Sequence, residues 1–175
     1  MATPKQPSGK GRIAAALLAL SATGFATWQA HEGFVPAAMI PTKGDVPTLG
    51  YGSTRYEDGK PVKMGDTITR ARAEVLALNL AQKDCSKMAA TIPGVKLHQA
   101  EYDVYCDFTG QYGVGNWSAS SMRRNLLAGD YVAACTSLLR YKFAAGYDCS
   151  NPGNKRCYGV WERQQKRYAT CMAAQ

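Results

Sequence analysis

Glu32, followed across a turn-rich stretch by Asp45 and Thr48, is the set of side chains in this sequence best suited to joint chemistry. Phe34 and Val35 come just after Glu32. A carboxylic acid against apolar surface has a raised pKa and can donate a proton near neutrality. Cleavage of a glycosidic bond needs such an acid on the leaving oxygen. It also needs a second group to place water or stabilise the developing sugar cation. Asp45 and Thr48 fall in Gly44-Asp45-Val46-Pro47-Thr48-Leu49-Gly50-Tyr51-Gly52, which reads as a hairpin from which both could face a cleft. On composition alone, the plainer reading is that Glu32 caps a helix and Asp45 belongs to a turn. No Ser-His-Asp or Cys-His arrangement competes, and His31 and His98 form no metal motif, so no cofactor is expected.

The elements that would position these groups are mixed. Residues 42–63 are rich in Gly, Pro, Thr and Tyr and read as a small antiparallel sheet, with Glu57 and Asp58 in a solvated turn. His31 to Met39 is read as a short helix. Asp66 or Thr69 caps a helix running to about Met88, with Val75, Leu76, Leu78, Leu80 and Ala81 as its buried face. Pro93-Gly94 interrupts, and a second helix runs from His98 to Tyr112 with Val104, Tyr105, Phe108 and Tyr112 inward. Further helices are expected at 118–127, 130–140 and 158–172. The fold class is therefore α+β, a small β-hairpin region beside a mostly helical body.

Residues 1–12 are polar and expected to be disordered. From Ile13 to Ala30 there is no charge, and Lys5, Lys10 and Arg12 precede the run. As a helix it would reach about 27 Å, close to the ~30 Å of bilayer hydrocarbon, with the N-terminus cytoplasmic and Trp28 at the outer interface. Its many alanines, with Ser21, Thr23, Gly24 and Thr27, give lipid a weak hold. Three fates are open: a cleaved signal peptide, a permanent anchor, or a marginal anchor able to leave the bilayer.

The 175 residues fit one domain with a short N-terminal extension. Twenty-one Lys and Arg against 13 Asp and Glu give a net charge of +8, which suits an anionic wall polymer or membrane; no nucleic-acid module accompanies it. Arg123, Arg124 and Arg163 read as surface charge. The six cysteines all lie from Cys85 onward and fit disulfides in an oxidising compartment; Cys149 and Cys157, flanking Asn151-Pro152-Gly153-Asn154, form the most local pair.

His31-Glu32-Gly33-Phe34, then Pro47-Thr48-Leu49-Gly50-Tyr51-Gly52-Ser53-Thr54, resembles the phage-type lysozymes, the endolysin muramidases. Gln99-Ala100-Glu101-Tyr102-Asp103, Gly113-Val114-Gly115-Asn116 and Gly159-Val160-Trp161-Glu162-Arg163 follow in the family's order. The resemblance implies a β-hairpin lobe and a larger helical lobe with the cleft between them. It implies cleavage of peptidoglycan between N-acetylmuramic acid and N-acetylglucosamine, with Glu32 as general acid and Thr48 helping to hold the attacking water. Counting from Glu32, the family's Asp falls on Pro41; Asp45 is the acid available between Glu32 and Thr48, and the loop is one residue longer. If Asp45 does not reach the cleft, Glu32 would act alone as a lytic transglycosylase; a wall-binding protein without activity is the reading from another class. The N-terminus resembles the releasable signal-anchors of some endolysins. The resemblance thus divides the chain into residues 1–30, a signal-anchor held in the host inner membrane through 13–30, and residues 31–175, a monomeric catalytic domain on the periplasmic side.

Overall fold

The computed structural model describes residues 11–175. The expected disorder of 1–12 falls mostly outside them. Around a helical core stand three short two-stranded ribbons. Helices are α1 (Ala22–Gln29), α2 (Arg70–Ala90), α3 (Gln99–Ala119), α4 (Ser121–Leu127), α5 (Tyr131–Ser137) and α6 (Tyr158–Ala173). Strands are β1 (Ile13–Ala14), β2 (Val35–Met39), β3 (Thr48–Gly50), β4 (Lys96–Leu97), β5 (Phe143–Ala144) and β6 (Tyr147–Asp148).

The two long helices start where capping chemistry puts them. The Thr69 hydroxyl accepts the Arg72 amide at the head of α2, and Glu101 closes a capping box on His98 at the head of α3. The second helix outruns its expected end at Tyr112. Gly113 takes a positive φ of 82° and kinks the chain, and the helix resumes to Ala119. On α2 the buried face is Ala73, Leu76, Ala77, Cys85, Met88 and Ala89; Val75 is 52% exposed, so the expected stripe was rotated. The small Ala73 and Ala77 let α2 approach the β lobe closely, and size rather than hydropathy chose that face. Tyr102, Tyr105, Phe108 and Trp117 of α3 fill the main core with Met88, Ile92, Leu97, Met122, Leu126 and Leu138. Disulfides Cys85–Cys106, Cys135–Cys171 and Cys149–Cys157 staple α2 to α3, α5 to α6, and the loop before α6.

The β lobe is the antiparallel β2–β3 ribbon, in register Val35↔Gly50 and Met39↔Thr48, over a small core of Ala38, Leu49 and Val62. The expected helix from His31 to Met39 is this strand. Pro36 disfavours helical backbone at Val35 and offers no amide to a helix, while its carbonyl accepts the Ile68 amide. Glu57 is more than a solvated turn residue. It takes two hydrogen bonds from Arg72 and one from Asn79, tying the β lobe to α2, and the Arg72 bonds hold its carboxyl down at about 2.

The uncharged N-terminal run is not one helix here. Among the described residues no helix is long and apolar enough to cross a membrane. Instead β1 pairs with β4, the Ala15 amide bonds the Val95 carbonyl, and Ala15 is buried in the main core. Arg12 reaches the buried Glu101 and the side chain of Gln175. The Ser21 hydroxyl caps α1 by accepting the Gly24 amide, while its own amide and hydroxyl donate to Asp103 on α3. Trp28 stacks on Phe25 and lies over Gly110. The small and polar residues that weaken a membrane span are thus the ones that dock α1 onto α3.

A Cβ on Gly24 would stand 2.6 Å from the Asp103 carboxyl carbon, and Ser21 and Gln99 hold that side chain in place. Gly24→Ala is expected to lower the stability of the folded chain by about 1–3 kcal/mol despite alanine's better helix propensity, read from urea unfolding. A neutral or stabilising result would mean that α1 is not seated on α3 in this way.

Candidate active site

Glu32 sits where α1 gives way to the β lobe. Its amide bonds the Gln29 carbonyl, closing a turn after the helix, and β2 begins at Val35. From this half-buried position one carboxylate oxygen lies beside Gly52, where an added Cβ would be 3.6 Å away. Gly52 has φ +80° and Gly50 φ +63°, and a Cβ at Gly50 would come within 3.0 Å of Ala73. The Gly-Tyr-Gly turn therefore needs both glycines, to bend under the carboxyl and to seat the ribbon on α2. In front of Glu32 is an open cavity of about 600 Å³, lined by Ala26, Gln29, Ala30, Phe34, Tyr51, Arg70 and Glu74.

Burial raises the Glu32 pKa; the Arg163 guanidinium lowers it in part, and Asp107 adds to the rise. Arg163 is not the free surface charge expected of it. Its side chain is 11% exposed and shares Asp107 with Arg167, whose guanidinium also bonds Gln111 and the Asp107 carbonyl. Burial alone would raise Asp107, but the hydrogen bonds and charges of the two arginines prevail and hold it below the usual carboxylate range. Asp107 thus offsets one of the pair's two positive charges, and among the described residues Glu32 joins no ion pair. The result is a carboxyl suited to donating a proton. His31, its neighbour, is lowered by burial and by Arg163.

Asp45 and Thr48 lie elsewhere on the ribbon. Val35↔Gly50 marks its Glu32 end and Met39↔Thr48 its other end, two residues or about 7 Å away along β3, with β2 bulged between them. Thr48 is half-buried, its hydroxyl 3.4 Å from the Met39 carbonyl. Asp45 is exposed in the loop beyond and accepts the Val46 amide at 2.9 Å. Neither lines the Glu32 cavity. Ser53 is buried and, with Thr54, lines a separate groove of about 400 Å³ between the β lobe, α2 and α3. Sequence reasoning missed Tyr51, Arg70, Glu74 and Asp107. Arg163 and Arg167, one helical turn apart before the C-terminus, were the available sign that something acidic and buried faces α6.

A small β lobe and a helical lobe meeting over a sheltered glutamic acid define a lysozyme-type glycosidase. The phage lysozyme family matches residues 29–167. The chain belongs to that family, whose members are glycoside hydrolases of the muramidase type. The endolysin of Salmonella phage P22 is 28% identical over 130 residues, 73% of this chain and 86% of its own length. The SAR-endolysin of Enterobacteria phage PA-2 is 28% identical over 97% of this chain and 98% of its own, so the likeness includes the N-terminal run. Among solved structures, P22 lysozyme overlays with a TM-score of 0.72 at 26% identity, covering 89% of this chain and 99% of the other.

Removing Arg163 would take away the charge that pulls the Glu32 pKa down and leave Asp107, which pushes it up. If catalysis needs protonated Glu32, activity falls as pH rises through this raised pKa. Arg163→Gln is then expected to move the alkaline limb of the kcat/KM profile to higher pH. A limb that stays put would separate Arg163 from the acid. Asp107→Asn is expected to cost about 3–5 kcal/mol, because it strands two buried guanidinium groups. Since the Asp107 pKa is depressed, its stabilisation is present above the unfolded value and lost as pH falls through the folded one. Unfolding of wild type and variant should therefore converge in acid, and a constant difference across pH would contradict the assignment.

Proposed function

We propose that this chain is a phage endolysin that hydrolyses the β-1,4 bond between N-acetylmuramic acid and N-acetylglucosamine in peptidoglycan. The observation that carries the reading is the half-buried Glu32 carboxyl beside Gly52, with its pKa raised and an open cavity before it. Glu32 protonates the glycosidic oxygen. Thr48 holds a water and Asp45 handles its proton or faces the sugar cation, once the ribbon tip closes on a bound strand. Water then supplies the hydroxyl at the muramic carbon and the leaving sugar keeps the Glu32 proton.

The position of Asp45 at the far end of the ribbon supports a second reading. With no hydrolytic partner, Glu32 donates its proton to the leaving oxygen. The muramic C6 hydroxyl then attacks the anomeric carbon and returns its proton to the Glu32 carboxylate, giving a 1,6-anhydro product. Mass spectrometry of muropeptides released by the full chain, Glu32→Gln and Asp45→Asn distinguishes them. Reducing muramic ends that require both residues are expected. Anhydro ends that survive Asp45→Asn would install the transglycosylase. No product from wild type would leave a wall-binding protein.

The chain is also proposed to begin as an exported, membrane-held precursor that works as a monomer in the periplasm after release. Basic residues ahead of an uncharged but weakly apolar run support this, as does the likeness to SAR-endolysins over nearly the whole chain. In that precursor residues 1–30 are the anchor unit, and Glu32 is pinned at the membrane surface. An uncoupler added to cells holding Glu32→Gln should shift the protein from the membrane to the soluble fraction, independently of lysis. Protein that stays bound would argue for a permanent anchor, and a shorter mature chain for a cleaved signal.

A further inference from the structure

Two charged side chains at the Glu32 cavity have no role in the chemistry above: Arg70 and Glu74. They lie four residues apart at the start of α2, about 6 Å along its axis, a spacing at which arginine and glutamate commonly pair. They do not pair with each other, and neither joins an ion pair elsewhere among the described residues. The Tyr51 hydroxyl stands between them: it accepts from Arg70 at 3.0 Å and donates to Glu74 at 3.4 Å. Tyr51 is 5% exposed, with its ring 5.6 Å from that of Phe34, and the Arg70 guanidinium lies 4.4 Å above the Phe34 ring. A hydroxyl and an aromatic face thus hold the cation at a set separation from the anion, with most of its five donors unspent.

A simple anion would be repelled by Glu74 and a simple cation by Arg70. A group carrying carboxylate and ammonium on one carbon satisfies both. The peptide stems of peptidoglycan present such a group where they contain a diamino dicarboxylic acid whose side-chain end is free. Cross-linking consumes that amine. We propose that Arg70 and Glu74, spaced by Tyr51, form a subsite for this zwitterionic end and favour un-cross-linked stems beside the bond that Glu32 protonates. The proposal rests on the muramidase reading.

The test uses the full chain on three preparations of one peptidoglycan: native strands with free amines, the same strands N-acetylated, and strands stripped of stems by an amidase. Wild type should favour native over acetylated strands by about tenfold in kcat/KM, the scale of one charge-assisted contact. Arg70→Met and Glu74→Gln should each collapse that preference, and Arg70→Lys should keep part of it. No preference in wild type, or equal losses by the variants on all three substrates, overturns the subsite. If wild type cleaves none of them, the muramidase reading falls. Calorimetry of Glu32→Gln with native and N-acetylated stem peptide then still decides the subsite: tighter binding of the native peptide supports it, and equal binding rejects it.

Discussion

The site depends on one constraint: a carboxyl must be kept partly out of water without being given a cation of its own. Glu32 meets it because of what lies on either side. Upstream, α1 is seated on α3 by the Ser21–Asp103 bonds and by the absence of a side chain at Gly24, so the helix ends at a fixed place. Downstream, Gly52 turns the chain beneath the carboxyl. Behind, Asp107 pairs with Arg163 and opposes the pull of that guanidinium on the Glu32 pKa. Loosening any of these admits water or charge, and either lowers the pKa toward that of an ordinary carboxylate.

Under the proposed release from the membrane, the N-terminal segment has two demands to satisfy. To sit in a bilayer it must be uncharged and apolar; to seat α1 it must carry a hydroxyl, small residues and a close-packing glycine. Alanine serves both, which is why Ala15 is buried in the core while the run still reads as a poor membrane helix. The folded arrangement also gives two acidic groups partners that a membrane-held segment would withdraw. Buried Glu101 bonds Arg12, and Asp103 bonds Ser21 and Gln99. Glu101 would keep the His98 amide and Gln175, and Asp103 would keep Gln99, but each would lose a charged or hydroxyl donor, so these bonds favour the docked segment over the extracted one.

How much of this was readable in the sequence follows from the range of each interaction. Local signals worked: Thr69 as the cap of α2, the pairing of Cys149 with Cys157, and the glycines of the Gly-Tyr-Gly turn. Glu32 could be singled out because its apolar neighbours are adjacent in sequence. Periodicity failed on α2, where hydropathy favoured Val75 and packing chose Ala73 and Ala77. Pro36 turned an expected helix into β2. The charges that adjust the burial-raised Glu32 pKa were out of reach, since Asp107 and Arg163 meet only after α3 and α6 pack. Arg70 and Glu74 look like an ordinary helix pair until Tyr51, from another element, intervenes. The run 13–30 was legible only on one side: hydropathy describes its weak preference for lipid and says nothing of the partners that wait on α3.

The central claim is that the segment carrying residues 13–30 must be docked for Glu32 to work. The most direct measurement is muropeptide release by the full chain inserted in energised inner-membrane vesicles, before and after the potential is collapsed. The account predicts no release while the segment is embedded, and release once it is freed, in proportion to the soluble protein. Cleavage by protein that is still embedded would show that Glu32 is competent without docking, and would contradict it.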